Sequence, residues 1–401
     1  MLRTDAYRMT KNTTSSYNLA IPILNKIFLL VLSFWLPEPL FSQSQRYFVD
    51  LSAGGQNSGQ SWTDAFTDLH DALALAGAGD DIWVAQGIYY PSGTGDRSAR
   101  FQLLSGARLY GGFTGTELDL SERDPAVTPS VLDGDIGVPE DSTDNAYNLL
   151  YLYRPDSLTV VDGFTFRSAL ANDPAAVAGE VGSSGGALYI MVFDGEAYPL
   201  IRNCVFDRNT ALRHGGSWVD RPEDIKDCQF NENSTYLQGG AVYFADSPRS
   251  DTFDLVSTLW SNNRINYEHQ IILQGAGMQI NNLRSNDATV LSIHDLQSSG
   301  HNTGESFICV GDGISFAAQN LIVFIDSIQL NSTYGISGEI LGWAQASVKN
   351  STFINSSGIG ISMQPGTLIG HSIFQNITVS KTPFFGFFIA SETVTFFHQE
   401  K

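Results

Sequence analysis

Apolar and polar positions alternate in short bursts through the middle of the chain, and one burst is written twice. Leu200-Ile201-Arg202-Asn203-Cys204-Val205-Phe206 leads to Asn209 and then to His214-Gly215-Gly216-Ser217-Trp218-Val219. Asp224-Ile225-Lys226-Asp227-Cys228-Gln229-Phe230 leads to Asn233 and then to Gln238-Gly239-Gly240-Ala241-Val242-Tyr243. Cys204 and Cys228, Phe206 and Phe230, Asn209 and Asn233, Gly216 and Gly240 are each 24 residues apart. A fixed period of this size signals stacked repeats. Helix formers are scarce and β-branched residues common, so each repeat predicts short strands. The repeat therefore predicts a coil of a parallel β-helix, rising roughly 4.8 Å per coil. Cys204 over Cys228 and Phe206 over Phe230 are expected in its lumen, because both of a pair fall on one side of a strand. Asn203 and Asn209, with their echoes Asp227 and Asn233, are expected at corners, where Asn and Asp bond local backbone. The glycine pair permits a tight corner before the next strand.

The same pattern organises the rest of the chain. Lys26 and the apolar run Ile27–Leu36, followed by Ser42, predict an export signal over residues 1–42, with Met9 a second possible start. The run is short of the ~20 residues a membrane span needs. Residues 43–80 predict a leading strand, Tyr47–Asp50, and a helix. Ser61 is its expected N-cap, Asp64 completes a near capping box, and Trp62, Phe66, Leu69, Leu73 and Ala76 follow at helical spacing up to Gly77. Such a helix would cover the open end of a solenoid. Residues 81–401 predict the coils, with Asp81–Pro91 the first. Later corners are expected at Leu259–Asn263, Asn282–Asn286, Ile328–Asn331, Thr352–Asn355 and Ile373–Asn376. The apolar end, Phe384–Lys401, lacks the polar cap with which solenoids close, and the sequence is expected to be a fragment there. The sequons at Asn233, Asn331, Asn350, Asn355 and Asn376 fall at or near these corners and are read as corner chemistry.

Several phrases carry a family likeness. Ile82-Trp83-Val84-Ala85 with Gly87 and Tyr89, Leu109-Tyr110-Gly111-Gly112-Phe113 with Gly115 and Glu117, and Val131-Leu132-Asp133-Gly134-Asp135-Ile136-Gly137 resemble exported bacterial proteins with a right-handed parallel β-helix, related in shape to pectate lyases. Gly185-Gly186-Ala187-Leu188, Gly239-Gly240-Ala241-Val242, Phe206–Asn209 and Phe230–Asn233 resemble the paired motifs of polymorphic outer-membrane proteins. The likeness covers roughly Tyr47 to Asp246 and fades beyond. It implies an all-β fold: a single-stranded right-handed parallel β-helix with coils of about 21–25 residues and an N-terminal capping helix. It also implies an extracellular place, free or on the outer surface of a bacterial cell.

Charge narrows the functions. Only 16% of residues are charged and the net charge is −20, which excludes a nucleic-acid binder, since that affinity rests on neutralising phosphates. The cysteines Cys204, Cys228 and Cys309 read as buried apolar fillers, because stacked lumen positions are poorly oriented for a disulfide. No cysteine spacing matches a metal site.

Three kinds of chemistry remain. A calcium-assisted polysaccharide lyase needs carboxylates for the cation and an Arg or Lys beside a uronate. Arg202 and Lys226, equivalent positions one coil apart, with Asp207 and Asp227 nearby, are the candidates. An inverting glycoside hydrolase needs two carboxylates roughly 6.5–9.5 Å apart, for which Asp133 and Asp135 are candidates if they share a strand face. Asp133, Asp135, Asp141 and Asp144 equally form a candidate calcium loop, or a solvated acidic one. The third kind is binding. Counting from the glycine pairs puts Leu188, Trp218 and Val242 in the lumen and Tyr189, Val219 and Tyr243 outward, so two tyrosines share a face about 9.6 Å apart, suited to sugar rings. The expected function is thus an exported scaffold for binding or adhesion to extracellular polysaccharide or a host or cell surface. No cofactor is expected beyond possible calcium, and no membrane span after signal cleavage. The alternative is the lyase or a related hydrolase.

Overall fold

The computed structural model describes residues 44–265, apart from breaks at 178, 193–197, 217, 220–223 and 245–251, and beyond them the backbone of strands as far as Thr378–Ser380. The expected export signal and the last residues lie outside the described residues. The described chain is predominantly β, with one α-helix and two 3₁₀ turns. Its strands form sheets of twelve, ten, nine, four and two members, paired in parallel from Arg46–Val49 to Thr378–Ser380.

The chain visits these sheets in a fixed order. Leu200–Arg202 lies in the twelve-stranded sheet, Val205–Asp207 in the ten-stranded, Thr210–Ala211 in the four-stranded and Trp218–Val219 in the nine-stranded. Asp224–Lys226 then returns beside Leu200–Arg202. Ile201 pairs with Ile225, Val205 with Gln229, Thr210 with Ser234 and Trp218 with Val242. All four pairings carry the 24-residue step read from the sequence.

The interior follows from that register. Phe166, Phe206, Phe230 and Trp260 stand in one column, with ring centroids 5.0, 4.8 and 4.5 Å apart. Cys204 and Cys228 are buried free thiols. Burial and the neighbouring Cys204 push the Cys228 thiol well up, as an apolar filler requires. Cys309 sits in the strand Cys309–Val310.

The asparagines depart from expectation in an instructive way. Asn209, Asn233 and Asn263 are fully buried and are not themselves the bent residues. The left-handed conformation falls just before them, at Arg208, Glu232 and Asn262 (φ 52–53°). Nδ2 of Asn209 donates to Oδ1 of Asn233 at 3.1 Å, and Nδ2 of Asn233 to Oδ1 of Asn263 at 3.0 Å. The same side chains donate to the carbonyls of Phe166 and Phe206. The bend interrupts the backbone ladder, and the stacked amides satisfy groups that burial would otherwise orphan. Asn203 and Asp227 do occupy left-handed corners as expected, at φ 52° and 53°. In the glycine pair, Gly216 is required for space: a Cβ there would come within 2.5–2.7 Å of the carbonyl oxygens of Ser234, Gly240 and Asn209.

The expected helix from Ser61 to Ala76 is much shorter. Helix α1 spans Leu69–Leu75, with Asp68 as its N-cap. Upstream, Phe66 bridges to Val49, donating to the Phe48 carbonyl and accepting from Asp50 at 2.9 Å each. That extended pairing overrides helical spacing. Trp62 instead packs beside Phe48 and Phe113. Leu69, Ala72 and Leu73 bury the inner face of α1, and the His70 ring lies 4.6 Å from Phe101.

The later corners also differ in part. Ser298 follows Trp260 in the register of the ten-stranded sheet and Met278–Asn282 belongs to the nine-stranded sheet, while the rest of the expected corner Asn282–Asn286 lies outside the described residues. Leu330 and Phe353 continue the column as expected, but Val379 succeeds them. Phe374 pairs with Val348 in the twelve-stranded sheet. An apolar residue before an asparagine occurs on more than one sheet, so the phrase alone does not fix which.

Candidate functional site

The nine-stranded sheet carries the aromatic column that the glycine pairs predict. Gln102, Tyr151, Tyr189, Val219 and Tyr243 follow one another in register. Leu150, Leu152, Leu188 and Val242 are fully buried behind them. The two expected ligand-binding tyrosines are less available than their position suggests. Tyr189 is only 5% exposed, and its hydroxyl donates to the Gly179 carbonyl at 2.9 Å. The segment that covers it is anchored by buried Asn148, which accepts the Gly182 N–H at 2.7 Å and donates to the carbonyls of Ser184 and Gly185. Tyr243 is half-buried, its ring stacked 4.3 Å from His214. Burial, with Arg213 adding, pushes the His214 imidazole down to about 4, so it lies there neutral.

The accessible aromatic surface is one strand earlier. Tyr151 and Tyr153 lie on the outer side of Leu150–Tyr153, with Tyr153 45% exposed. Their ring centroids are 6.3 Å apart, and Tyr151 is 5.9 Å from Tyr189. The Arg100 guanidinium sits 5.2 Å from the Tyr151 ring, and the Tyr151 hydroxyl reaches Met191 Sδ at 3.8 Å. Burial pushes the Tyr151 phenol up, so that ring offers a face and a protonated hydroxyl. The signal was present in the sequence as Leu149-Leu150-Tyr151-Leu152-Tyr153, a period-two alternation. Counting from glycine pairs misses it, because none precedes that strand.

Arg202 and Lys226 are brought together, as adjacent positions of one column. Asp162 precedes them in that column and is fully buried. It accepts from Arg202 Nε at 2.7 Å, from Arg123 at 2.6 Å and from Asn203 Nδ2 at 2.8 Å. Arg123 also donates to the Gly111 carbonyl. Arg202 is thereby committed to neutralising a buried carboxylate, whose unpaired burial would be costly. Asp207 pairs with Arg208 at 2.9 Å and Asp227 forms the exposed corner. The carboxylates that a lyase reading assigns to Arg202 and Lys226 thus have other roles.

Asp133, Asp135, Asp141 and Asp144 of the acidic loop each accept at least one internal hydrogen bond. Asp133, at the end of Ser130–Asp133, is buried and accepts from Arg167 Nε at 2.7 Å. Asp135 accepts the Glu140 N–H and Asp144 the Val138 N–H. Asp141 caps Ser142–Asp144, and the Thr143 hydroxyl and N–H hold its carboxyl below the usual range. Oδ1 of Asp135 and of Asp144 have no hydrogen-bond partner. Still, the described residues contain no group of three or more His, Cys, Asp or Glu side chains placed to share a metal ion. Asp135 lies past the strand end, so it and Asp133 do not share a strand face.

Among the described residues no helix is long and apolar enough to cross a membrane. No protein-family model, curated protein or solved structure matches the chain.

Proposed function

We propose that the chain is an exported parallel β-helix that binds carbohydrate on an outer face and performs no chemistry on it. The solenoid reading rests on the fixed order of sheets and the shared 24-residue step. The carbohydrate reading rests on one observation: Tyr151 and Tyr153 hold adjacent rings on the outer side of a strand whose inner residues, Leu150 and Leu152, are fully buried. Rings with few rotatable bonds on a packed strand lose little freedom on binding, and their faces and hydroxyls suit the apolar faces and hydroxyls of a sugar. Arg100, beside Tyr151, adds a donor.

Affinity electrophoresis of the full chain in gels containing soluble polysaccharides tests this. Retardation that weakens severalfold in Tyr151→Ala and Tyr153→Ala, with unchanged melting, supports it. Unretarded migration in every polysaccharide overturns it, as does new ultraviolet absorbance from unsaturated products, with or without calcium.

A further inference from the structure

Beside the tyrosine pair, the nine-stranded sheet presents an arginine with no counter-charge. On the strand Phe101–Leu103, Phe101 and Leu103 are buried, while Gln102 and the following Leu104 point outward and are exposed. Gln102 pairs in register with Tyr151 on the next strand. Arg100 precedes Phe101 with the same outward parity, and its guanidinium sits 5.2 Å from the centre of the Tyr151 ring. Tyr153 and the half-buried Met191 complete the patch. None of these side chains is acidic.

Other arginines of the described chain are neutralised within it. Arg108, Arg123, Arg167, Arg202 and Arg208 each pair with a carboxylate at 2.6–2.9 Å. Among the described residues Arg100 forms no such pair: its Nη1 donates to the Ser98 carbonyl at 3.3 Å, and its Nε is shielded from solvent with no hydrogen-bond partner. The acidic residue nearest in sequence, Asp96, instead accepts from the Ser98 N–H and hydroxyl. A guanidinium carries five N–H donors, so most of those on Arg100 remain for a ligand. That is an unusual state in a chain where 42 acidic residues outnumber 22 basic ones.

Resting on the carbohydrate reading above, we infer that the sugar held beside Tyr151 and Tyr153 bears a carboxylate, and that Arg100 is its charge partner. A planar guanidinium meets a carboxylate through two parallel N–H···O bonds. Contact with the Tyr151 ring steadies the guanidinium, so little freedom is lost on binding. The rings take the apolar face of the sugar and so fix which edge meets Arg100. The net charge of −20 repels an anionic polymer from afar, but at physiological ionic strength screening cuts that repulsion off beyond about 8 Å. Contact is then decided by the groups of the patch itself.

The test compares polymers that differ in that charge. Affinity electrophoresis of the full chain uses alginate and its propylene glycol ester, polygalacturonate and its methyl ester, and dextran sulfate as a polyanion without carboxylates. The parent should be retarded by at least one acid polymer, severalfold less by the matching ester, and not by dextran sulfate. Arg100→Gln should weaken retention by the acid polymer about tenfold and leave retention by the ester unchanged, with melting unaltered. Arg100→Lys, which keeps the charge without the planar fork, should fall between the two and carries the test if Arg100→Gln does not fold. Equal retention of the parent by acid and ester, with loss in Tyr153→Ala, overturns the carboxylate and leaves the carbohydrate reading standing. Retention by dextran sulfate as strong as by the acid polymers overturns carboxylate recognition in favour of charge alone. Retention by no polymer overturns both readings.

Discussion

The strand Val205–Asp207 faces two ways, and its two sides obey different rules. Inward, Phe206 continues a column of rings stacked nearly parallel, at 6° and 7° to its neighbours. Outward, Val205 and Asp207 stand beside Thr165 and Arg167 on one flank and Gln229 and Asn231 on the other. From Phe166 through Phe206 and Phe230 to Trp260 the inner column keeps its aromatic chemistry because each ring is the packing surface of the next. The outer columns are free to change because water is their common neighbour. Repetition therefore marks architecture, and departures from repetition mark where function can reside.

The sharpest way to break this contrast is at Phe206. Phe206→Ala should destabilise by about 3–5 kcal/mol through lost burial and the cavity left between two rings, read as a fall in the urea midpoint. A loss below 1 kcal/mol would mean that the column does not carry the fold. Asp162 tests the exception, an outward position that is nonetheless buried. Asp162→Ala should cost roughly 3 kcal/mol, because it leaves the partly buried Arg123 and Arg202 without their counter-charge. A change as small as that of an exposed residue would return Arg202 to candidacy as a reactive group.

His214 sharpens the comparison through pH. Its folded state favours the neutral ring, with the pKa lowered from 6.5 to about 4 by burial. Protonation thus favours the unfolded chain. Its contribution is full above pH 6.5 and declines as the pH falls toward 4, by at most roughly 3 kcal/mol. His214→Phe should remove that part of the acid sensitivity, seen as a flatter stability curve between pH 6.5 and 5 than the parent's. The smallest stability effect is expected at Tyr153, whose exposed side chain should tolerate Ala within about 0.5 kcal/mol, while the proposed sugar binding should weaken. A large stability loss there would make the ring structural.

Much of the fold was legible because repeats write their own register. Phe206 over Phe230 and Leu188, Trp218 and Val242 in one column could be aligned by counting. Helix α1 was legible only in its second half. Spacing cannot report that Phe66 pairs with the strand Arg46–Val49. The expected corner at Phe374 failed for a related reason: insertions of unequal length put an apolar-before-Asn phrase on the wrong sheet. The expected pair Tyr189 and Tyr243 proved correctly placed in register, but exposure depends on what crosses above the strand.

The sequence by itself determined the period, the parallel strand chemistry and the residues that fill the interior, because a repeat of fixed length forces equal positions into contact. Only the tertiary structure decided which outward residues meet water. Asp162 is sealed by two arginines and Tyr189 by the segment around Gly179, while Tyr153 stays 45% exposed. Those outcomes depend on neighbours far away in the chain, which no local pattern of polar and apolar residues encodes.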